Sequence, residues 1–479
     1  MLTSWSRVSD MTYDCLKGLE PADFFHWFGE ISAIPRGSHK EEKIVAFLEA
    51  FAKERGLAWE TDEAKNVLIR VPATIGYEAQ PPVLFQAHSD MVWRADRDFD
   101  FETQPIELQK QDDRIVANGT TLGADNAVGM ATMLALADGS YPHPELELLF
   151  TATEEVGMVG ARAFDKTKLK SRRMVNMDCG DSHVLCVTSA GCIVGDIHKD
   201  YPQYPIPRGW EVLKLTLSGG KGGHSGLCAN AGRACGGNLL GDLLLNKEVR
   251  LCSMAGIDAI IKQAEAVVAM PIGAQAALQP RFAELKTIYK NTDPDWILEI
   301  TPAQADTALS QEDSSKVILA LNTLRTGQFR CDGNLPTTIL TSGQLRAFHL
   351  ENGHLSIEFA VRSACDADQD LLFTHYQAVL RVLELELVEH RRYSGWQELP
   401  DSPWRKQFET MHQTLFGYPI EIERCHGGIE ASIIVGAVPD MDAIGIAPTA
   451  RGAHTTHEYL LIDEVLPYWQ LITAVLAEQ

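Results

Sequence analysis

No uninterrupted apolar run in this 479-residue chain approaches the roughly 18 residues that a membrane-spanning helix needs. The first ten residues, MLTSWSRVSD, lack the apolar core of a secretion signal, so the expected location is the cytoplasm. Ten cysteines are scattered without one CxxC pair, which argues against a zinc ribbon or a thioredoxin-like redox centre. Basic residues are scarce: 42 Lys and Arg stand against 65 Asp and Glu, a formal charge of -23, which disfavours nucleic acid and anionic membranes as partners. Several hydrolytic and nucleotide-binding signatures are missing as well. Gly219–Ser225 lacks the Gly-Lys-Ser/Thr ending of a phosphate loop, Ser225 has Leu227 where a nucleophile elbow needs glycine, and no HExxH helix occurs.

What the chain does contain is five short motifs in fixed order. They are His88-Ser89-Asp90, Gly123-Ala124-Asp125-Asn126, Thr153-Glu154-Glu155, Asn176-Met177-Asp178 and His454-Thr455-Thr456-His457-Glu458. Divalent cations of the zinc, manganese or cobalt type favour imidazole nitrogen and carboxylate oxygen, and a catalytic site leaves positions open. Three carboxylates and two histidines, with one carboxylate bridging, supply three protein ligands to each of two metals. Paired metals of this kind stabilise both the attacking and the leaving atoms of a hydrolysis. The doubled Glu154-Glu155 offers one side chain to ligate metal and another to handle the proton, because neighbouring residues point in different directions.

The hydropathy pattern places these motifs in an α/β fold. A helical stripe from Glu41 to Arg55 precedes the strand-like runs 66–69 and 82–85. Leu146–Thr151 and Met174–Met177 read as further strands ending at Glu154-Glu155 and Asp178, the strand ends where open α/β sheets bind ligands. Asp125 falls just before an expected helix, Ala127–Ala137. Two proline-rich breaks, at Tyr201–Pro207 and Leu399–Pro403, flank strand-like runs (212–217, 355–360) and a helical stretch, Leu371–Val388. The fifth motif returns after the second break. The expected organisation is therefore a metal-binding domain, 1–206 and 397–479, interrupted by an inserted α+β domain, 207–396.

The ordered motifs resemble the M20 metallopeptidase family and, within it, the aminoacyl-histidine dipeptidase branch. The similarity spans nearly the whole chain: Ile34-Pro35 with Glu41-Glu42, Lys65–Arg70, Gln86–Met91, Gly119–Gly129 and Thr153–Gly157. It implies that the metal-binding domain is a mixed-sheet catalytic domain and the inserted domain a lid, with two divalent ions, zinc first, cutting a small dipeptide of the Xaa-His or carnosine type. On this resemblance His88, Asp125 and Asp178 hold one metal, while Asp125, Glu155 and His454 hold the other. Glu154 is the general base, and Asp90 orients His88 by bonding its second ring nitrogen. His224, in Gly222–Gly226, stabilises the oxyanion, and Arg362 binds the substrate carboxylate. The resemblance also implies a cis peptide between Asp125 and Asn126. A homodimer is compatible with it, His224 then serving its own chain or its partner's.

Alternatives stand beside these assignments. His457 competes with His454, but the family places its ligand four residues before a glutamate, which selects His454 with Glu458. His224 could mark only a tight glycine bend, and Arg362 only a salt bridge in the lid. Cys228 and Cys235 stand where the branch has an acidic residue and an asparagine, and Cys425–Ser432 departs from its HAGLE-type signature, which bears on the preferred dipeptide. Two other functions remain in view: an amidohydrolase of N-acyl or N-carbamoyl amino acids, and an inactive binding protein of the same fold.

Overall fold

A computed structural model describes residues 14–226, 228–333, 335 and 337–478. The segment MLTSWSRVSD and Leu227, both used above, lie outside the described residues. The chain forms two compact units, one of residues up to Thr188 with Glu398–Arg424 and Ile429 onward, the other of Ser189–Gln397 with Cys425–Gly428.

The first unit is built on an eight-stranded mixed sheet. Three neighbouring strands, Leu146–Thr151, Val83–His88 and Arg173–Asn176, run parallel. Every residue of Val83–His88 and Leu146–Thr151 is buried, as expected of parallel strands covered on both faces. Ala58–Thr61 and Val67–Val71 extend the sheet antiparallel beyond Leu146–Thr151. Asp442–Gly445 joins in parallel beyond Arg173–Asn176, followed by Val184–Cys186 and Glu421–Glu423. The core includes Phe24, Phe28 and Ile31 from helix Ala22–Ser32 and Ile44, Leu48 and Phe51 from helix Glu42–Glu54. The 3.6-residue apolar spacing of these helices delivers one buried stripe each. A separate four-stranded sheet pairs the late segments Ala450–Arg451 and Tyr459–Leu461 with Arg114–Ala117 and Leu108–Gln111.

The second unit carries a larger antiparallel sheet. Its strand Gly191–Asp200 lies between His354–Ser363 and Val388–Tyr393, paired with His354–Ser363 along its full length. That pairing draws the chain into this unit directly after Thr188, ahead of the expected start at 207, and the proline-rich segment 201–207 lies within the unit. The helix expected at Leu371–Val388 is instead Asp366–Val382. It stops because Glu384 turns left-handed, φ 56°, and the Leu385 N–H returns to the Leu380 carbonyl. The chain then extends into the edge strand at Val388. Among the described residues, no helix is long and apolar enough to cross a membrane.

Candidate active site

The parallel run of three strands brings three motifs to one edge of the first unit's sheet. Val83–His88 ends on His88, Leu146–Thr151 stops three residues before Glu154, and Arg173–Asn176 stops two before Asp178. Asp125 enters at the first turn of helix Ala124–Asp138, where residues 125 and 126 leave helical geometry and the peptide between them is cis. His454 comes from the turn between Ala450–Arg451 and Tyr459–Leu461, itself with φ 65°.

These elements bring five side chains together. His88 Nε2 lies 2.8 Å from Asp125 Oδ1 and 3.5 Å from Asp178 Oδ1. His454 Nε2 lies 2.8 Å from Glu155 Oε2 and 3.4 Å from Asp125 Oδ2. Asp125 thus presents one oxygen to each histidine. His457 is exposed, and among the described residues no ion pair joins it to this cluster.

The supporting bonds are long-range. Asp90 Oδ1 is 3.4 Å from His88 Nδ1, and the Asp90 carboxylate accepts the backbone N–H groups of Glu154 (2.9 Å) and Glu155 (3.3 Å) and the Ser38 hydroxyl (2.8 Å). One side chain therefore fixes both halves of the glutamate pair. Thr153, just before them, has φ 56°, an unfavourable region for a β-branched residue, and its hydroxyl donates 2.5 Å to buried Glu41. Buried Arg36 donates to the Asp90 and Gly123 carbonyls, tying the first two motifs. Gly123 has φ 68°, and a Cβ there would meet Arg36 Nη2 and Met91 Sδ at 2.7 Å, so only glycine fits. Glu458 Oε2 accepts the N–H groups of Leu122 (2.9 Å) and Gly123 (2.8 Å), and its Oε1 accepts that of Asp125 (3.1 Å). It secures the backbone that carries Asp125.

Electrostatics bear on whether divalent metal suits this site. Hydrogen bonds to Asp125 and then Glu155 push His454 up to about 10. Burial disfavours the His88 cation, yet its bonds to Asp125, Asp178 and Asp90 prevail and hold it well above the imidazole range. Burial would raise Asp125 too, but its bonds to His454 and His88 keep it below the carboxylate range. Asp178 is pushed up to about 6 by burial and then by the charge of Asp125. Three clustered carboxylates demand positive charge, and the upward shifts of both imidazoles have that cause. Glu155 Oε1 is buried without a hydrogen-bond partner. A donor set of two imidazoles and three carboxylates with an orphaned oxygen fits divalent cations of the zinc class.

Glu154 belongs to the same region but is distinct in character. Burial, followed by the charge of Asp178, holds its carboxyl well above the usual range, a condition suited to carrying a proton.

His224 and Arg362 belong to the second unit. His224 is exposed, and its Nδ1 accepts the Gly226 N–H at 3.2 Å. Arg362, on strand His354–Ser363, donates 3.1 Å to the Tyr393 hydroxyl, while its buried Nε lacks a partner.

Arg36 and Glu430 escaped the sequence reading. Glu430 is buried, its Oε2 accepting from Gln86 Nε2 (2.6 Å) and from the Thr151 hydroxyl. Gln86 Oε1 accepts from Asn176 Nδ2 at 2.5 Å, and Asn176 Oδ1 accepts the Asp178 N–H at 3.1 Å. The signal was a polar Gln86 in an otherwise apolar strand, which requires a buried partner. Glu430→Ala should lower unfolding free energy by about 2 kcal/mol, the cost of orphaning buried donors. Urea denaturation checks this, with Glu430→Gln losing less.

A mixed α/β sheet that gathers histidine and carboxylate donors at the ends of its parallel strands defines a metallohydrolase architecture. The chain belongs to peptidase family M20/M25/M40, whose sequence model matches residues 84–478, and that membership implies the use of divalent metal. It is 32% identical to the cytosol non-specific dipeptidase of Escherichia coli (strain K12), an alignment covering 97% of this chain and 99% of the relative. Among solved structures, the aminoacylhistidine dipeptidase of Vibrio alginolyticus superposes with a TM-score of 0.85 at 30% identity, covering 96% of this chain and 97% of that one. An aminopeptidase of Bacillus cereus shares the fold at a TM-score of 0.58 and 15% identity, covering 96% and 98%.

Proposed function

We propose that this chain is a cytoplasmic metallo-dipeptidase of two-metal type, hydrolysing dipeptides of the aminoacyl-histidine class. The carrying observation is that Asp125 stands between His88 and His454, one oxygen toward each, with Asp178 and Glu155 flanking the two sides. His88, Asp125 and Asp178 would hold one zinc, and Asp125, Glu155 and His454 the second, manganese or cobalt being substitutes. Such ions supply Lewis-acid polarisation of the scissile carbonyl and acidification of water. The names of the E. coli and Vibrio relatives support dipeptides as the substrate class.

The chain's own residues then divide the work. Glu154 accepts a proton from the attacking water on a carboxylate oxygen and passes it to the leaving amine nitrogen. Asp90 is a positioning residue: it holds the Glu154 and Glu155 backbones and lies against the His88 ring. The family resemblance gives His224 the oxyanion and Arg362 the substrate carboxylate, and makes the second unit the lid. The spare donor at Arg362 Nε supports that role.

A substrate panel tests the reading. Zinc-loaded protein should release free amino acids from carnosine and other Xaa-His dipeptides faster than it cleaves N-acyl or N-carbamoyl amino acids. The reverse order would make the chain an amidohydrolase, and inactivity on the whole panel would leave a binding protein.

The two C-terminal histidines give a separate prediction. His454→Ala should bind one metal fewer and lose most activity, whereas His457→Ala should keep wild-type metal content. Metal analysis after gel filtration distinguishes them, and metal loss from His457→Ala alone would reverse the assignment.

A further inference from the structure

A second group of metal-ligating side chains lies in the other unit. Asp196, Glu358 and His390 stand on three adjacent strands, Gly191–Asp200, His354–Ser363 and Val388–Tyr393, with one ligand atom from each within 4.8 Å of the others. We propose that these three residues form an additional binding site for one divalent transition cation, independent of the candidate active site.

The register explains their meeting. Asp196 and Glu358 are directly opposed across their strand pair, so both project from the same sheet face. Like charges so placed repel one another, a cost that His390 beside Asp196 and Arg346 beside Glu358 offset in part and that a shared cation would offset further. On the other side of the central strand, Glu389 pairs with Gly195 and Arg391 with Val194, leaving His390 as the extra residue of a β-bulge. A bulge re-aims a side chain and interrupts alternation. Here it turns His390 Nδ1 to 2.7 Å from Asp196 Oδ2.

The donors suit a particular class of ion. One imidazole and two carboxylates match zinc, cobalt or nickel better than calcium or magnesium, which favour all-oxygen sites. A tetrahedral zinc with bonds of about 2.1 Å wants donors about 3.4 Å apart, and the three ligand atoms lie within 4.8 Å of one another. Arg346 Nη1 holds Glu358 Oε1 at 2.8 Å, orienting that carboxylate and leaving its second oxygen for the ion. The three side chains are 30 to 40% exposed, so a cation can enter from solvent and water can complete its shell. Bound there, it ties the edge strand Val388–Tyr393 to Gly191–Asp200 and, beyond it, His354–Ser363, and adds to thermal stability.

The test is zinc stoichiometry and thermal stability of the full chain at micromolar free zinc. Wild type should bind one zinc more per chain than His390→Gln, and Glu358→Gln should show the same deficit. Zinc should raise the melting temperature of wild type more than that of either variant. Both variants should keep wild-type dipeptidase activity, because none of the three residues belongs to the candidate active site. Equal stoichiometry in wild type and both variants would overturn the proposal. The result is a difference of one ion, so it reads the same whether the active site itself holds two metals or none. Variants are compared only when their circular dichroism matches wild type. If neither passes, zinc binding by wild type in an Asp125→Ala, Glu155→Ala background decides: one retained ion supports the site, and none overturns it.

Discussion

Glu154→Gln should lower turnover at least about 100-fold while metal content stays at the wild-type level. The substitution keeps shape and backbone anchoring, since Asp90 holds residue 154 through its N–H and not through its side chain. What disappears is a carboxylate oxygen able to take and return a proton, and general acid-base catalysis contributes about 10²- to 10⁴-fold. Steady-state kinetics on the best dipeptide, with metal analysis of the same sample, make the measurement. Turnover near wild type would move the base elsewhere, and loss of metal with turnover would exchange the roles of Glu154 and Glu155.

Removing metal has the larger effect. Dialysis against a chelator should abolish peptide hydrolysis, and zinc, manganese or cobalt should restore it. The carboxylate neighbours of His88 and His454 push both imidazoles upward, the mark of a site that calls for positive charge, and it is the divalent cation that would supply polarisation of a carbonyl. Full activity in demonstrably metal-free protein would refute the two-metal reading.

The legible parts of this molecule were those governed by local pattern. Buried strands such as Leu146–Thr151 announce themselves as apolar runs, and the motif after each run falls at a strand end. The choice of His454 over His457 rested on four-residue spacing to Glu458, and the structure gives Glu458 a task of its own, holding the N–H groups around Asp125. What the pattern could not supply was pairing across distance. Gln86 and Glu430 are 344 positions apart, and nothing near either names the other. The limit of the second unit was hidden for a related reason. Prolines at 202, 205 and 207 break a helix or strand equally well inside a unit and between units, and Tyr204–Pro205 here pairs with Thr307–Ala308. Likewise the run to Val388 keeps helical character although its last five residues before Val388 are turn and loop and Val388 itself opens a strand, because Glu384 ends the helix by backbone geometry.

The hairpin around His454 is also the last part of the cluster to leave the ribosome. Four of the five clustered donors are present once residue 178 has been synthesised, yet the partner of Glu155 and the carboxylate holding Asp125 in place both arrive with residues 454–458. A growing chain therefore carries a half-built site through most of its translation, and a product truncated before residue 450 would retain His88, Asp125 and Asp178 without their counterpart. The last donor comes only with the final segment, whose strand Tyr459–Leu461 pairs with Arg114–Ala117.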